Sequence, residues 1–240
     1  MSQRLRARDL AFLAEESART PLHNATVEIF DPVDSGFDYQ RLVDLIGDRI
    51  SFVPRYRQRV QSVPGRLANP VWVDDPHFDL GFHVRRSALP RPGSMDQLRE
   101  LVSRIVSRPL DRHRPLWEVY FVEGLADGLV AVLSKSHQAL VDGIETVDLG
   151  QVLLDVGAER RILGHDEWRP PRRPTPAALV ASAVRESVQR PGTVLDTLRS
   201  NAGSARRAAE AAASRAGAIT TALTNRRPAE TPISGLLSQQ

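Results

Sequence analysis

Cysteine is absent from the 240-residue chain, and aromatic residues make up only 5% of it. Without cysteine the chain can form no disulfide, no thiolate metal site and no cysteine nucleophile. Lysine is almost absent too, because Lys135 is the single lysine among 32 basic residues.

Long apolar runs are also missing: residues 129–133 form the strongest one, far short of the ~20 residues that cross a bilayer. Residues 1–10 are charged and lack the apolar region of a signal peptide, so we expect a cytoplasmic protein.

Positive charge is concentrated near the end of the chain. Eleven arginines lie between positions 169 and 227 against Glu186, Asp196 and Glu210, although the net charge of the whole chain is only +3. A basic segment on an acidic body suggests contact with an anionic surface such as phospholipid. The alternative is a solvated helical linker, because the segment has many alanines but few large apolar anchors. No recognised nucleic-acid-binding pattern accompanies the charge, so we expect no nucleic-acid partner.

Composition divides the chain into two regions. Residues 1–165 mix helical and β-branched patterns, which predicts an α/β domain with a mixed sheet and flanking helices. Residues 166–240 are rich in proline, arginine and alanine, which predicts a helical linker leading to an absent second domain. In the first region the patterns predict helices over 7–16, 39–50, 94–106 and 142–156, and strands over 25–30, 71–73, 80–85, 117–122 and 129–134.

The stretch 137–143 carries the residues with chemical potential. It reads His-Gln-Ala-Leu-Val-Asp-Gly and lies between a predicted strand and a predicted helix. Polar side chains at a strand end beside a turn are well placed to face a cleft. Taken alone, the stretch is an ordinary strand-to-helix junction in which Asp142 caps the helix and Gly143 allows close backbone approach.

The order of further segments resembles the wax ester synthase/acyl-CoA:diacylglycerol acyltransferase family, whose motif is H-H-x-x-x-D-G. The resemblance covers most of residues 4–165, and any single segment is weak whereas the ordered set is specific. The matching segments are 5–15, 21–23, 53–59 (VPRYRQR), 70–75 (PVWVDD), 78–80, 83–85, 89–90, 92–93, 109–112 (PLDR), 114–118 (RPLWE), 123–125 and 137–143. The implied fold resembles one half of the chloramphenicol-acetyltransferase-like CoA-dependent acyltransferase architecture.

The resemblance implies transfer of a fatty acyl group from acyl-CoA to diacylglycerol or a long-chain alcohol, giving triacylglycerol or wax ester. In the family the second motif histidine is the general base, a task that suits a pKa near neutrality. The motif aspartate, here Asp142, orders the loop, and the glycine, here Gly143, leaves room for substrate. A thioester is already activated, so acyl-CoA is a co-substrate and we expect no cofactor or metal. A membrane or lipid-droplet surface on the cytoplasmic side is an expected contact.

This sequence departs from the family at the base position. Gln138 stands four residues before Asp142, where the family has its catalytic histidine, and His137 aligns with the first motif histidine. A glutamine amide cannot take a proton near neutral pH, and general-base catalysis contributes roughly 10²- to 10⁴-fold in rate. We therefore predict weak or no activity for this chain unless the His137 ring rotates into the role of the base, which a regular strand disfavours because neighbouring side chains point to opposite faces. The alternative is a non-catalytic relative that binds lipid, acyl-CoA or a partner protein.

The patterns around the other polar residues indicate structural roles and not catalytic or metal-binding ones. Arg112 and Arg114 flank His113, and pairing with nearby carboxylates is a more common use of such arginines than phosphate binding. His77 and His83 lie six residues apart without a further ligand pattern, which argues against a metal site. The isolated His23 and His165 are interpreted as surface or loop residues, and Trp117 as core.

Overall fold

A computed structural model describes residues 3–33, 36–66, 68–141 and 174–189. All of these belong to the first of two compact units, Met1–Gly192, and the second unit, Thr193–Gln240, lies outside the described ranges. The strands are β1 (Gln3–Arg4), β2 (His23–Phe30), β3 (Gln58–Gln61), β4 (Val71–Asp74), β5 (Val84–Ala88), β6 (Trp117–Glu123) and β7 (Val130–His137). The helices are α1 (Ala7–Glu15), α2 (Tyr39–Arg49), α3 (Leu80–His83), α4 (Met95–Val106), α5 (Gln138–Val141) and α6 (Pro176–Gln189).

The larger sheet has four strands in the order β2-β7-β6-β5. β7 pairs antiparallel with both β2 and β6, whereas β5 and β6 are parallel. Parallel neighbours need a crossover connection, and α4 lies in the chain between these two strands. The predicted mixed sheet with flanking helices is therefore confirmed. The turn between β6 and β7 contains Asp127 and Gly128 with positive φ of 58° and 74°, and Asp-Gly is a residue pair that hairpin turns favour.

A smaller antiparallel sheet has the order β1-β4-β3. Its apolar residues Val71 and Val73 pack with Leu179 of α6, and all three are buried. The first helix of the arginine-rich region thus packs against this sheet. Neither β1 nor β3 was predicted, because β1 spans two residues and β3 lies in a proline-interrupted stretch whose pattern is too short to show a period.

The main core lies between the larger sheet and α2. Leu42 and Ile46 of α2 belong to the same buried cluster as Trp117 and Phe121 of β6. The Trp117 ring is fully buried, and its N–H donates to the carbonyl of Tyr56 at 2.7 Å. A buried indole with a satisfied N–H is a stable core element, so the predicted structural role of Trp117 is confirmed.

Local signals explain which boundaries were predicted correctly. α4 begins where expected because residues 94 and 97 form a capping box. The Ser94 hydroxyl accepts from the Gln97 N–H, and the Gln97 side-chain oxygen accepts from the Ser94 N–H. The predicted strand over 80–85 is wrong for its first four residues. The Asp79 carboxylate accepts from the Gly81 N–H at 3.0 Å and starts the short helix α3, so β5 begins only at Val84.

The strand predicted over 129–134 is longer than expected and ends at His137, where α5 begins directly with Gln138. The register with β2 explains the extension, because pairing continues to His23↔His137. The helix predicted over 142–156 lies outside the described residues.

Candidate active site

The second half of β7 is polar and yet fully buried. Ser134, Lys135, Ser136 and His137 are each at most 4% exposed. Buried polar groups are costly unless they find hydrogen-bond partners. The contacts of these residues therefore define how the strand end is built.

His137 is the last residue of β7, and its ring is completely buried. Its backbone N–H donates to the Leu116 carbonyl at 3.0 Å, and its Nδ1 accepts from the Ala139 N–H at 2.9 Å. An imidazole whose Nδ1 is an acceptor carries its proton on Nε2. Burial lowers the pKa of His137 to about 4, so the ring is neutral near pH 7. Its only basic lone pair is already occupied by Ala139, which leaves none for a substrate proton.

Glu16, one residue after α1, faces this histidine. Its Oε2 lies 3.5 Å from His137 Nε2, the outer limit of hydrogen bonding, so we interpret the contact as mainly electrostatic. Arg112 forms a two-pronged pair with the same oxygen at 2.7 and 3.1 Å. Burial alone would raise the pKa of Glu16, but the hydrogen bond and the positive charge of Arg112 bring it below its usual value. Glu16 is thus a buried, ionised carboxylate.

His23 completes the cluster from the neighbouring strand. It is the register partner of His137, and the two ring centroids are 5.9 Å apart. Its Nε2 lies 3.0 Å from Glu16 Oε1 and its Nδ1 lies 3.4 Å from the Val106 carbonyl. The Nδ1 contact needs a proton on Nδ1, because the Val106 carbonyl can only accept, whereas the Nε2 approach is short but not aligned for a hydrogen bond. The interpretation of His23 as a surface or loop residue is wrong, since its side chain is 1% exposed.

Lys135 satisfies its buried ammonium at the end of α4. Its Nζ donates to the Ile105 carbonyl at 2.9 Å and also to the Arg108 carbonyl. A cation at a helix C-terminus interacts favourably with the exposed carbonyls and the helix dipole. Burial lowers the pKa values of Lys135 and His23, and the charge of Lys135 lowers the pKa of His23 further. This lysine therefore fixes α4 against the polar half of β7.

Gln138 begins α5 and is half-buried. Its backbone N–H donates to the Leu22 carbonyl at 3.0 Å, which ties the corner to the residue before β2. The structure thus brings His137 and Gln138 together at a strand-to-helix corner, as the motif implies. Asp142 and Gly143 lie outside the described residues. The roles of Gln138, Asp142 and Gly143 stay predictions.

Two cavities lie close to this corner. One of about 240 Å³ is bordered by Ala139 and Leu140 of α5 and by the arginine side chains of positions 4, 6 and 55. The other, of about 530 Å³, has apolar walls from Leu10 and Leu13 of α1 and a polar wall that includes Arg112. Its size falls in the range of small-molecule sites, and its mixed lining is typical of them. Arg112 therefore lines this cavity and also pairs with Glu16.

The remaining predicted residues have structural roles. Arg112 pairs with Glu16, and Arg114 lies 3.7 Å from Asp111, so the expected pairing with carboxylates is confirmed. His83 is buried and stacks on Trp117 with ring centroids 4.6 Å apart. The described residues hold no group of three or more His, Asp or Glu side chains arranged to bind a metal ion. No helix within the described ranges combines the length and apolar content of a transmembrane span.

Comparison with known proteins decides the family. The family model "Wax ester synthase/diacylglycerol acyltransferase catalytic domain" matches residues 5–238. The chain belongs to this family. The wax ester synthase/diacylglycerol acyltransferase fold is also seen in a solved relative, the "Wax ester synthase/diacylglycerol acyltransferase from Marinobacter aquaeolei VT8", with a TM-score of 0.55 and 30% identity over 78% of this chain and 46% of that one.

Curated family members from Mycobacterium tuberculosis are more similar in sequence. A probable diacylglycerol O-acyltransferase is 42% identical over 200 residues, which are 83% of this chain and 74% of that protein. A putative diacylglycerol O-acyltransferase is 44% identical over 144 residues, which are 59% of this chain and 32% of that protein. The chain thus spans less than half of the second relative and of the solved structure. The first relative is itself much shorter than the second.

Besides misplacing His23, sequence reasoning missed Glu16 and Lys135. Lys135 did carry a signal, because a chain that otherwise uses arginine kept one lysine at this position. A compact ammonium fits a small buried site better than a planar guanidinium. Glu16 carried no such signal, because its partners lie 7, 96 and 121 positions away in the chain.

Proposed function

We propose that this chain is the motif-bearing part of an acyl-CoA-dependent O-acyltransferase that esterifies diacylglycerol or a long-chain alcohol, and that it lacks an efficient general base. Family membership supports the reaction class. One observation carries the second half of the proposal: the His137 lone pair accepts the Ala139 N–H. The motif histidine that remains cannot replace the one that position 138 lacks.

The reaction itself needs few parts. The acceptor hydroxyl oxygen attacks the thioester carbon, the carbon–sulfur bond breaks, and CoA leaves as a thiolate that takes up the hydroxyl proton. A histidine at position 138 would carry this proton from the hydroxyl to the sulfur. The Gln138 amide oxygen can accept a hydrogen bond from the hydroxyl but cannot take its proton. Orientation of the acceptor is retained in this proposal, and proton transfer is impaired.

Fatty acyl-CoA and the lipid acceptor are the proposed partners, with no cofactor beyond the co-substrate. The larger cavity, with Leu10 and Leu13 on one side and Arg112 on the other, supports an amphipathic ligand. We further propose that the arginine-rich segment 166–240 is a helical linker that contacts anionic lipid. Its charge supports that proposal, whereas the packing of Leu179 on β4 supports a linker that starts against the domain. The comparisons do not favour the alternative of a non-catalytic binder, which remains an outcome of the test below.

The test compares the wild-type chain with Gln138→His and with Gln138→Asn as the matched control. Turnover of palmitoyl-CoA with dioleoylglycerol or hexadecanol is followed through the released CoA thiol, and the ester product is quantified. The chain has no cysteine, so a thiol reagent reads only CoA. We expect Gln138→His to raise kcat by roughly 10²- to 10⁴-fold, and Gln138→Asn to leave it at or below the wild-type rate.

Three other outcomes contradict parts of the proposal. Strong and equal turnover by the wild type and Gln138→His would show that position 138 does not hold the base. If none of the three proteins turns over, binding of a fluorescent acyl-CoA decides between the remaining candidates. Binding without turnover supports the non-catalytic alternative, and no binding rejects both.

A further inference from the structure

Glu16 is linked to both motif positions, to His137 directly and to Gln138 through Leu22. Its Oε2 faces the His137 ring at 3.5 Å, and its Oε1 accepts from the Leu22 N–H at 3.4 Å. The carbonyl of the same Leu22 accepts the Gln138 N–H at 3.0 Å. One carboxylate thus reaches the side chain of His137 directly and the backbone of Gln138 through a single residue.

A carboxylate suits this position for a reason of chemistry. Four groups converge on it: the guanidinium of Arg112, the rings of His23 and His137, and the Leu22 N–H. Arg112 and the Leu22 N–H present hydrogen atoms to it, as does the His137 ring with its proton on Nε2, and only an ionised carboxylate accepts at both oxygens. An amide at position 16 would aim its own NH₂ group at one of these donors.

The cluster also joins separate elements of the fold. Glu16 follows α1, His23 begins β2, His137 ends β7, and Arg112 lies in the loop before β6. Arg112 adds a second bond, from Nη2 to the Leu13 carbonyl at 2.8 Å, which ties this loop to α1. The carboxylate stands where these four segments meet, and its side chain is only 4% exposed.

We propose that Glu16 is a positioning residue that fixes the 137–138 corner, so that residue 138 is presented in one orientation for acyl transfer. The catalytic part of this inference rests on the function proposed above, whereas the geometric part does not. Glu16 contacts neither acyl-CoA nor acceptor in this proposal. A plain structural role, in which Glu16 only anchors α1 to the domain, is the competing interpretation.

Amide hydrogen exchange separates the two interpretations without any need for turnover. The full chain is compared with Glu16→Gln, with Glu16→Asp, which keeps the carboxylate, and with Glu15→Gln, a neighbouring exposed position. We expect Glu16→Gln to speed exchange of the Gln138 and Ala139 amides at least about 10-fold while the Val132 amide in mid-β7 stays protected, because opening is local. Glu16→Asp should fall between, and Glu15→Gln should match the wild type.

Two results would overturn the positioning role. Equal acceleration at positions 132, 138 and 139 would indicate a general loss of stability, and unchanged exchange at 138 and 139 would show that the corner does not depend on Glu16. If Glu16→Gln does not fold, ¹⁵N spectra of the wild-type histidine rings still decide. They should show His137 neutral with its proton on Nε2 at pH 7, and a ring protonated on Nδ1 contradicts the proposal.

A kinetic comparison then tests the catalytic part. In the Gln138→His background, adding Glu16→Gln should lower kcat by about 10-fold or more with little change in KM, because orientation and not ground-state binding is lost. An unchanged kcat rejects a catalytic consequence. If Gln138→His shows no turnover at all, the function proposal fails, and the exchange experiment still judges Glu16 independently.

Discussion

The two halves of β7 are equally buried, but they are held by different forces. Residues 130–133 are valine, alanine, valine and leucine, and residues 134–137 are serine, lysine, serine and histidine. The first half is stabilised by burial of apolar surface, which is not directional. The second half depends on hydrogen bonds and charges that must meet particular atoms.

This difference shows how one strand serves both stability and function. The apolar half tolerates small shifts, because its neighbours can repack. The polar half cannot shift without losing Lys135 from the end of α4 or His137 from Glu16. Such polar contacts cost stability when they are incomplete but fix a single geometry when they are complete. The contacts of Lys135 and His137 thus specify the strand end that leads into Gln138, although the Ser136 hydroxyl has no hydrogen-bond partner among the described residues.

The largest effect on stability is expected in the apolar half. Leu133 is fully buried, and Leu133→Ala should lower the free energy of unfolding by about 3 kcal/mol through lost burial and a cavity. Urea unfolding followed by tryptophan fluorescence measures this change. The loss should be the same at pH 7 and pH 5, because no titrating group is removed. A strongly pH-dependent loss would mean that the two halves are not separable.

Acid should weaken the polar half. The pKa of His137 is about 4 in the folded chain against an ordinary 6.5, so the unfolded chain binds a proton first as the pH falls. The contribution of neutral His137 to the free energy of unfolding is fully present above pH 6.5 and is lost as the pH falls toward 4. Between pH 7 and pH 5 the free energy of unfolding should decrease by about 2 kcal/mol. Burial also lowers the pKa values of His23 and His83, which adds in the same direction. Urea unfolding at several pH values should show this slope, and His137→Gln should make it shallower; an unchanged slope contradicts the assignment.

Lys135→Met should cost somewhat less, about 1–2 kcal/mol, because two carbonyls at the end of α4 lose their donor while the buried charge is removed. Lys135→Arg is the matched variant that keeps the charge. It should also destabilise, because a larger planar group enters a packed site. Thermal unfolding of the three proteins measures both changes. Full stability in Lys135→Arg would show that the site does not select lysine.

The smallest effect is expected at the pair Thr26–Ser134, whose hydroxyl oxygens are 3.2 Å apart. Ser134→Ala should lower the free energy of unfolding by about 1 kcal/mol or less, the usual net value of one neutral hydrogen bond. A double-mutant cycle with Thr26→Ala isolates the pair. A coupling energy as large as the loss caused by Leu133→Ala would mean that a neutral hydroxyl pair stabilises the fold as much as core packing does. That result would contradict the contrast between the two halves.

Elements with complete local signals were predictable from sequence. α4 has its own cap and an apolar stripe, and β6 has a run of large apolar residues, so each appears where its pattern indicates. α3 was missed because it has one turn and depends on the Asp79 cap. The corner at His137 and Gln138 was located through its resemblance to a family motif, whereas its supporting contacts were not.

The sequence by itself determined the mixed α/β class, the family, the absence of cysteine chemistry and the glutamine at position 138, where the base is predicted, because these are properties of residue identity and local pattern. Only the tertiary structure decided that Glu16 and His23 join His137, that Lys135 caps α4, and that the His137 lone pair is already used. Those facts depend on side chains that are far apart in the chain and meet only after the sheet has formed. The pKa values and partners of buried charged side chains cannot be read from the sequence, since both are set by the surroundings that the fold creates.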